Sequence, residues 1–328
     1  LTDMVWMWGQ FIDHDIVATP SGNELFSIAL PEDDLLRSQN IHACEPVENA
    51  VNGQSDSETI IVDGIQYNDT SAAAFTQSNH FVFTRSLGVM NENGVRQHQN
   101  VTTAYLDGSV IYGSNEKKAN ELREFKGGKL KITNDGLLPS KEGTKGMEFI
   151  AGDNRASENP GLSSLQTLWV REHNRIADEL VKENTALNDE QIYQKARVKV
   201  MGLLQQITYN EFLPALLGDD KITEYKGYSD KINPGIFNEF SAAAYRFGHS
   251  MVSDTIARRD ADGKEIEAGD LPLKDAFFNI QHLQQTGIDV VLRGASLQQS
   301  QEIDNQYTDG LRNFLFSKPP EGSKCPFR

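Results

Sequence analysis

Apolar residues recur at three- and four-residue intervals from the first position of the chain, at Leu1, Met4, Val5, Trp8, Phe11 and Ile12, which predicts a helix with a buried face. At about 100° per residue, Gln10, Asp13 and His14 share one narrow sector of that helix, and Asp15 points well away from them. A second stripe, Leu165, Leu168, Trp169, Ile176, Leu180 and Val181, predicts a long amphipathic helix. Asn188 followed by Gln191 has the form of a capping box, opening a helix through Ile192, Ala196, Val200, Leu203, Leu204 and Ile207. Residues 237–251 read as a further helical stretch, 116–125 as a short charged helix, and 287–294 with the Gln-rich residues after them as more short helices. Thr19-Pro20-Ser21-Gly22 is a break, and residues 44–80 read as polar surface loop with a short strand at 59–62. Phe81 to Thr84 is a short apolar piece, 127–152 is loop with weak strand character, and 257–270 is charged loop. The pattern predicts a mainly α fold with few short strands.

Composition narrows the class. In 328 residues, 38% hydrophobic and 24% charged is the balance of a soluble globular protein, and no apolar run approaches the length of a membrane span. The net charge of −16, with no Lys- or Arg-rich patch, makes nucleic acid and anionic membranes poor partners. The chain opens on Leu1 with no signal peptide, so any targeting segment is expected to have preceded it. Cys44 and Cys325 are too few for a thiolate metal cluster; a mutual disulfide, pairing elsewhere and free thiols all stay open. Asn68-Asp69-Thr70 and Asn100-Val101-Thr102 fit the glycosylation sequon, which matters only in a secreted eukaryotic protein.

Several polar residues stand where burial is expensive. An amide, a carboxylate and an imidazole on one face of an apolar helix need something to satisfy them, either a cofactor or solvent at a helix end. There is no HExxH, GxSxG or P-loop, so zinc hydrolysis, nucleophilic-serine chemistry and P-loop phosphate binding have no support. His249 follows Arg246 by one turn in Ala244-Tyr245-Arg246-Phe247-Gly248-His249; it is either a hydrogen-bonded core residue or a ligand. Thr103-Ala104-Tyr105-Leu106-Asp107-Gly108-Ser109 alternates oxygen-bearing side chains in a way that suits calcium if a second carboxylate such as Asp15 joins it, and otherwise reads as an Asp-Gly turn. In Asp153-Asn154-Arg155-Ala156-Ser157-Glu158-Asn159-Pro160, Arg155 and Glu158 share a face before a helix-starting proline; a surface ion pair would do the same.

Together these stretches resemble the animal-type haem peroxidases. The matching pieces are Trp8-Gly9-Gln10-x2-Asp13-His14-Asp15, the Thr103 to Ser109 run continued by Tyr112-Gly113-Ser114, Arg155-Ala156-Ser157-Glu158, Arg171-Glu172-His173-Asn174-Arg175 and Arg246-Phe247-Gly248-His249. The resemblance implies haem b held between two helices. His14 would be the distal base, Arg155 the stabiliser of charge on breaking peroxide, Gln10 the holder of distal water or a halide, and His249 the proximal iron ligand. It further implies ester links from Asp13 and Glu158 to haem, Arg246 supporting the proximal side or a propionate, and calcium held by Asp15, Thr103, the Tyr105 carbonyl, Asp107 and Ser109. The implied reaction reduces hydrogen peroxide through an oxyferryl intermediate and oxidises a halide, thiocyanate or phenolic donor, in an extracellular or secreted protein.

Two departures from the family stand out. Asn159 occupies the place of the methionine that forms a sulfonium link in one family branch, and the family's C-terminal proximal segment has no counterpart here. The chain is therefore expected to be the central part of a peroxidase domain, lacking both ends. Two other readings share the motifs: a non-catalytic haem- or calcium-stabilised adhesion module, and a fatty-acid oxygenase of the same fold. Retention of His14, Arg155 and His249 counts against the first, and retention of Asp13 with Glu158 against the second.

Overall fold

The computed structural model describes residues 1–29, 60–62, 65–67, 80–143 and 146–315. Cys44, Cys325 and the Asn68 sequon lie outside the described residues. Two compact units share the chain: Leu1–Ala18 with Val101–Arg312, and Thr19–Asn100 with Asn313–Arg328.

The first unit is helical, as its periodicity predicts. Helix α1 (Asp3–Ile16) buries Trp6, Met7, Trp8, Phe11 and Ile12 and ends where Val17 turns extended. Two short helices, α2 (Ser109–Tyr112) and α3 (Glu116–Leu122), lead to the longest, α4 (Pro160–Glu183), whose stripe of Leu162, Leu165, Trp169, Ile176 and Leu180 is buried. The α1–α4 contact centres on Trp8, whose ring lies 5.7 Å from Phe11 and 5.9 Å from Trp169. Burying each such ring contributes about 1.5–3 kcal/mol. The helices meet closely at Gly161, where a Cβ would stand 2.6 Å from Met7 Sδ.

The sequence-read capping box is fully formed. Asn188 accepts from the Gln191 N–H, and Gln191 accepts from the Asn188 N–H, at the start of α5 (Asp189–Ile207). This helix runs on into a π-turn, Thr208–Phe212, which places the Thr208 hydroxyl to accept from Trp8 Nε1. Residues 127–152 do contain a hairpin, β7 (Ser140–Gly143) against β8 (Gly146–Phe149). The Arg171 to Arg175 motif proves structural: Arg171 donates to the Gly136 carbonyl, Asn174 exchanges two bonds with Leu130, and His173 Nε2 meets the Gly128 carbonyl, binding the 128–137 loop to α4.

One expected helix is interrupted. Residues 237–251 form a short helix, Asn238–Ala242, and then a separate 3-10 strap, Ala244–Met251, with Ala243 off helical geometry at φ −133° and ψ −67°. Side chains drive the break. Arg246 Nε takes the Ser241 carbonyl that a continuous helix would give to the Tyr245 N–H, while the Tyr245 hydroxyl donates to the Gly9 carbonyl of α1.

In the second unit, described residues form three antiparallel pairs: β1 (Ser21–Ala29) with β4 (His80–Ser86), β2 (Ile60–Val62) with β3 (Ile65–Tyr67), and β5 (Gly88–Met90) with β6 (Arg96–His98). Of the strand expected at 59–62 the described residues Ile60–Val62 form β2, and the apolar piece at Phe81 lies in β4. Glu24 accepts from Arg85 and Arg96 on this unit's surface.

Candidate active site

Three segments of the first unit supply the expected residues: α1 brings Gln10, Asp13, His14 and Asp15, the loop before α4 brings Arg155 and Glu158, and the strap brings Arg246 and His249. The loop is pinned at both ends. Ser163 Oγ donates to the Ala156 carbonyl, Ser157 Oγ accepts from the Phe149 N–H, and Gly152 lies on α2 so closely that a Cβ would stand 2.5 Å from the Val110 carbonyl oxygen.

His14 is buried, 4% exposed, between two carboxylates: Asp153 Oδ1 lies 3.7 Å from Nδ1 and Glu158 Oε2 lies 3.9 Å from Nε2. Neither is a hydrogen bond, and Nδ1 has no partner. Burial, reinforced by Arg155, pushes the imidazole down to about 3, against the opposing pull of Asp153. The ring is therefore neutral at any ordinary pH, with a lone pair to accept a proton.

Arg155 donates through Nε and Nη2 to the two oxygens of Asp153, at 2.9 Å each, and through Nη2 to the Val17 carbonyl at 2.8 Å. Burial alone would raise the Asp153 carboxyl, but the Arg155 hydrogen bonds and charge prevail and hold it below the usual range. Gln10 is fixed rather than free: its Nε2 donates to Glu158 at 3.0 Å and its Oε1 accepts from Asn159 Nδ2 at 2.8 Å. Asn159 also caps α4 by accepting from the Leu162 N–H.

Arg246 pairs with Asp13, Nη1 to Oδ2 at 3.2 Å, and leaves buried Asp13 Oδ1 without a partner. Burial raises the Asp13 carboxyl, with Arg246 and Arg155 opposing. His249 stands exposed on the strap, its ring edge-on to Tyr307 at 6.1 Å, and surrounding atoms followed by Arg246 lower its pKa. An accessible imidazole, an orphaned buried carboxylate oxygen and a neutral buried histidine suit haem: His249 as iron ligand, Asp13 and Glu158 as candidate attachment points.

At the far side of α1, Asp15 is fully buried. Its oxygens accept from the Val110 N–H (2.9 Å), the Gly108 N–H (3.2 Å) and Ser109 Oγ (3.2 Å). Burial, then the Asp107 charge, raise its carboxyl to about 6. Asp107 Oδ1 accepts from the Ser109 N–H, Thr103 Oγ1 accepts from the Tyr105 N–H, and the Tyr105 carbonyl accepts from the Asp107 N–H. Asp15 and Asp107 are near enough to interact electrostatically, and oxygen groups of this kind are the type a hard dication such as calcium takes. Among the described residues no group of three or more His, Cys, Asp or Glu gathers as a metal site.

Sequence reasoning gave no role to Asp153, Thr102 or Tyr245. The first binds Arg155, the second donates to the Asp15 carbonyl, and the third ties the strap to α1. Only Asp153 carried a signal, an Asp two residues before an Arg, which also fits an ordinary Asx-turn.

The fold is mainly helical, with a buried histidine and an arginine around Asp153 and a second histidine on a separate strap. The sequence profile described as animal haem peroxidase matches residues 1–325, and the chain belongs to that family. Peroxinectin A of Dictyostelium discoideum is 31% identical over 346 residues, covering 98% of this chain and 58% of its own length. The solved structure of peroxidase A from Dictyostelium discoideum superposes with a TM-score of 0.75 at 28% identity, over 98% of this chain and 60% of that one. A fatty acid alpha-dioxygenase of Oryza sativa shares the fold at a TM-score of 0.66 and 21% identity, over 92% of this chain and 49% of its own. The chain thus spans about 58% of the length of the curated relative.

Proposed function

We propose that this chain carries the peroxide-activating site of a haem peroxidase that reduces hydrogen peroxide and oxidises a small donor such as a halide, thiocyanate or a phenol. The observation that carries the reading is His14: buried, held neutral, and flanked by a fixed guanidinium. Haem, which His249 would hold as iron ligand, would supply the redox chemistry. The chain's own residues do the rest. His14 Nε2, on the side of Gln10 and Glu158, takes a proton from the oxygen of hydrogen peroxide that is retained and returns it to the oxygen that leaves as water. Arg155 stabilises negative charge on the departing oxygen. Gln10, its amide engaged by Asn159 and Glu158, holds Glu158 on the Nε2 side of His14.

Asp13 and Glu158 supply carboxylate oxygens for ester links to haem, Asp13 through its unpartnered Oδ1. The Asp15, Thr103, Tyr105, Asp107 and Ser109 set would hold calcium, with Asp15 next to His14 in the chain. Extracellular placement fits a calcium-stabilised domain. The shared fold with a dioxygenase carries no argument for fatty-acid oxygenation, and the two retained carboxylates favour the peroxidase reading.

Replacing His14 by Ala should leave haem bound and slow the reaction with peroxide by about 100-fold or more, followed in the Soret band by stopped flow. A variant reacting at the parent rate would remove His14 from the mechanism. Asp13→Asn combined with Glu158→Gln should make haem extractable into acid-organic solvent, whereas unchanged extraction would mean that the ester links never form.

A further inference from the structure

The geometry points to Asp153 as the positioning residue of the site, the group that aims the Arg155 guanidinium and faces the inner nitrogen of His14; this rests on the proposed peroxidase reading. Three donors of Arg155 converge on its carboxylate: the backbone N–H and Nε on Oδ1, at 2.8 and 2.9 Å, and Nη2 on Oδ2 at 2.9 Å. A fourth contact, Nη2 to the Val17 carbonyl, fixes the remaining rotation against the end of α1. Among the described residues no hydrogen bond of Arg155 uses Nη1. That nitrogen is left as the donor for an anionic oxygen in the site.

Asp153 is itself held firmly. Its backbone N–H donates to the Val110 carbonyl, and the preceding Gly152 packs on the backbone of α2. Asp153 Oδ1 also lies 3.7 Å from His14 Nδ1, which is buried and has no hydrogen-bond partner. At 3.7 Å this is a charge contact and not a hydrogen bond, and with Glu158 Oε2 at 3.9 Å from Nε2 the imidazole sits between two negative charges, of which only Asp153 also holds Arg155. An asparagine of the same shape keeps one acceptor oxygen and replaces the other by an NH2 group facing the guanidinium, so one of the two side-chain bonds to Arg155 is lost and opposed. Asp153 touches neither peroxide nor haem in this account; it acts through Arg155 and His14.

The test uses the haem-loaded intact protein with two variants, Asp153→Asn and Asp153→Glu. Asp153→Asn should slow the peroxide reaction, per bound haem, by about 100-fold, the scale of losing one oriented donor. It should also weaken equilibrium cyanide binding by about tenfold or more, because that ligand likewise leaves a proton and an anion in the site. The KM for the donor should stay put. Asp153→Glu keeps two acceptor oxygens and should recover most of both losses. A merely structural role predicts lower haem content with unchanged rate and cyanide affinity per haem, and that result overturns the proposal. Crystals of Asp153→Asn give a readout independent of haem chemistry: Arg155 should leave the Val17 carbonyl. Arg155 staying there would overturn the positioning role even in a protein that binds no haem, whereas absence of a Soret band in the parent would sink only the peroxidase reading.

Discussion

His173 shows how far burial can set chemistry for a single side chain. Its Nε2 faces the Gly128 carbonyl at 2.8 Å and must carry the proton, so Nδ1 accepts from the Tyr112 hydroxyl at 2.9 Å. Burial pushes this imidazole from 6.5 down to about 4, with Arg123 and Arg197 adding to the effect and the Gly128 bond opposing it. The folded chain refuses a proton that the unfolded chain accepts, so this contribution is complete above pH 6.5 and is lost as pH falls toward 4. Its size is about 3 kcal/mol, at 1.36 kcal/mol per unit. In His173→Gln, thermal midpoints should fall less steeply between pH 6.5 and 4 than in the parent; parallel profiles would contradict this assignment. His14 and Arg155 could be picked from the sequence because their neighbours form recognisable motifs. The ion pair that orients Arg155 could not, because spacing says which residues are near in sequence, not which oxygen a guanidinium chooses. Gln10 illustrates the same limit: its place on the α1 face was legible, its capture by Asn159 and Glu158 was not.

At the scale of elements, local signals were reliable where the chain acts locally. The Asn188–Gln191 box opens α5 as read, and Asn159 with Pro160 opens α4. Residues 237–251 failed as a single helix because Tyr245 and Arg246 spend their polar groups on the carbonyls of Gly9 and Ser241, contacts that no periodicity encodes. Asn159 does two jobs, capping α4 and holding Gln10, so Asn159→Ala should destabilise the fold by about 1 kcal/mol in chemical denaturation, as Asn188→Ala should at its solvent-facing cap. Only the Asn159 variant should also change the peroxide reaction. Equal kinetic effects from the two would mean that Gln10 is not held through Asn159. The loop from Thr103 to Ser109 joins the end of α1 to the start of α2 through buried Asp15. Without metal, the raised Asp15 carboxyl favours the folded state least above pH 6, because stability falls as pH rises from 3.8 through about 6. Calcium should remove that penalty. Chelation should therefore lower the thermal midpoint more at pH 7 than at pH 4.5, and an equal shift at both would argue against Asp15 as a ligand.

On the scale of the whole molecule, the mainly helical reading held, and the chain belongs to the animal haem peroxidase family. No helix among the described residues is long and apolar enough to cross a membrane, in line with the lack of an apolar run in the sequence. The residues of α1 and the loop before α4 were legible as neighbours because they are concentrated in two short segments; the strap that carries His249 is tied to α1 by bonds of Tyr245 and Arg246 that no sequence pattern shows. The most direct test of the account is an absorption spectrum of the intact protein before and after hydrogen peroxide. A haem peroxidase should show a Soret band that shifts when peroxide is added and returns when a phenolic donor or halide is supplied. A Soret band indifferent to peroxide, or no Soret band at all, would contradict it.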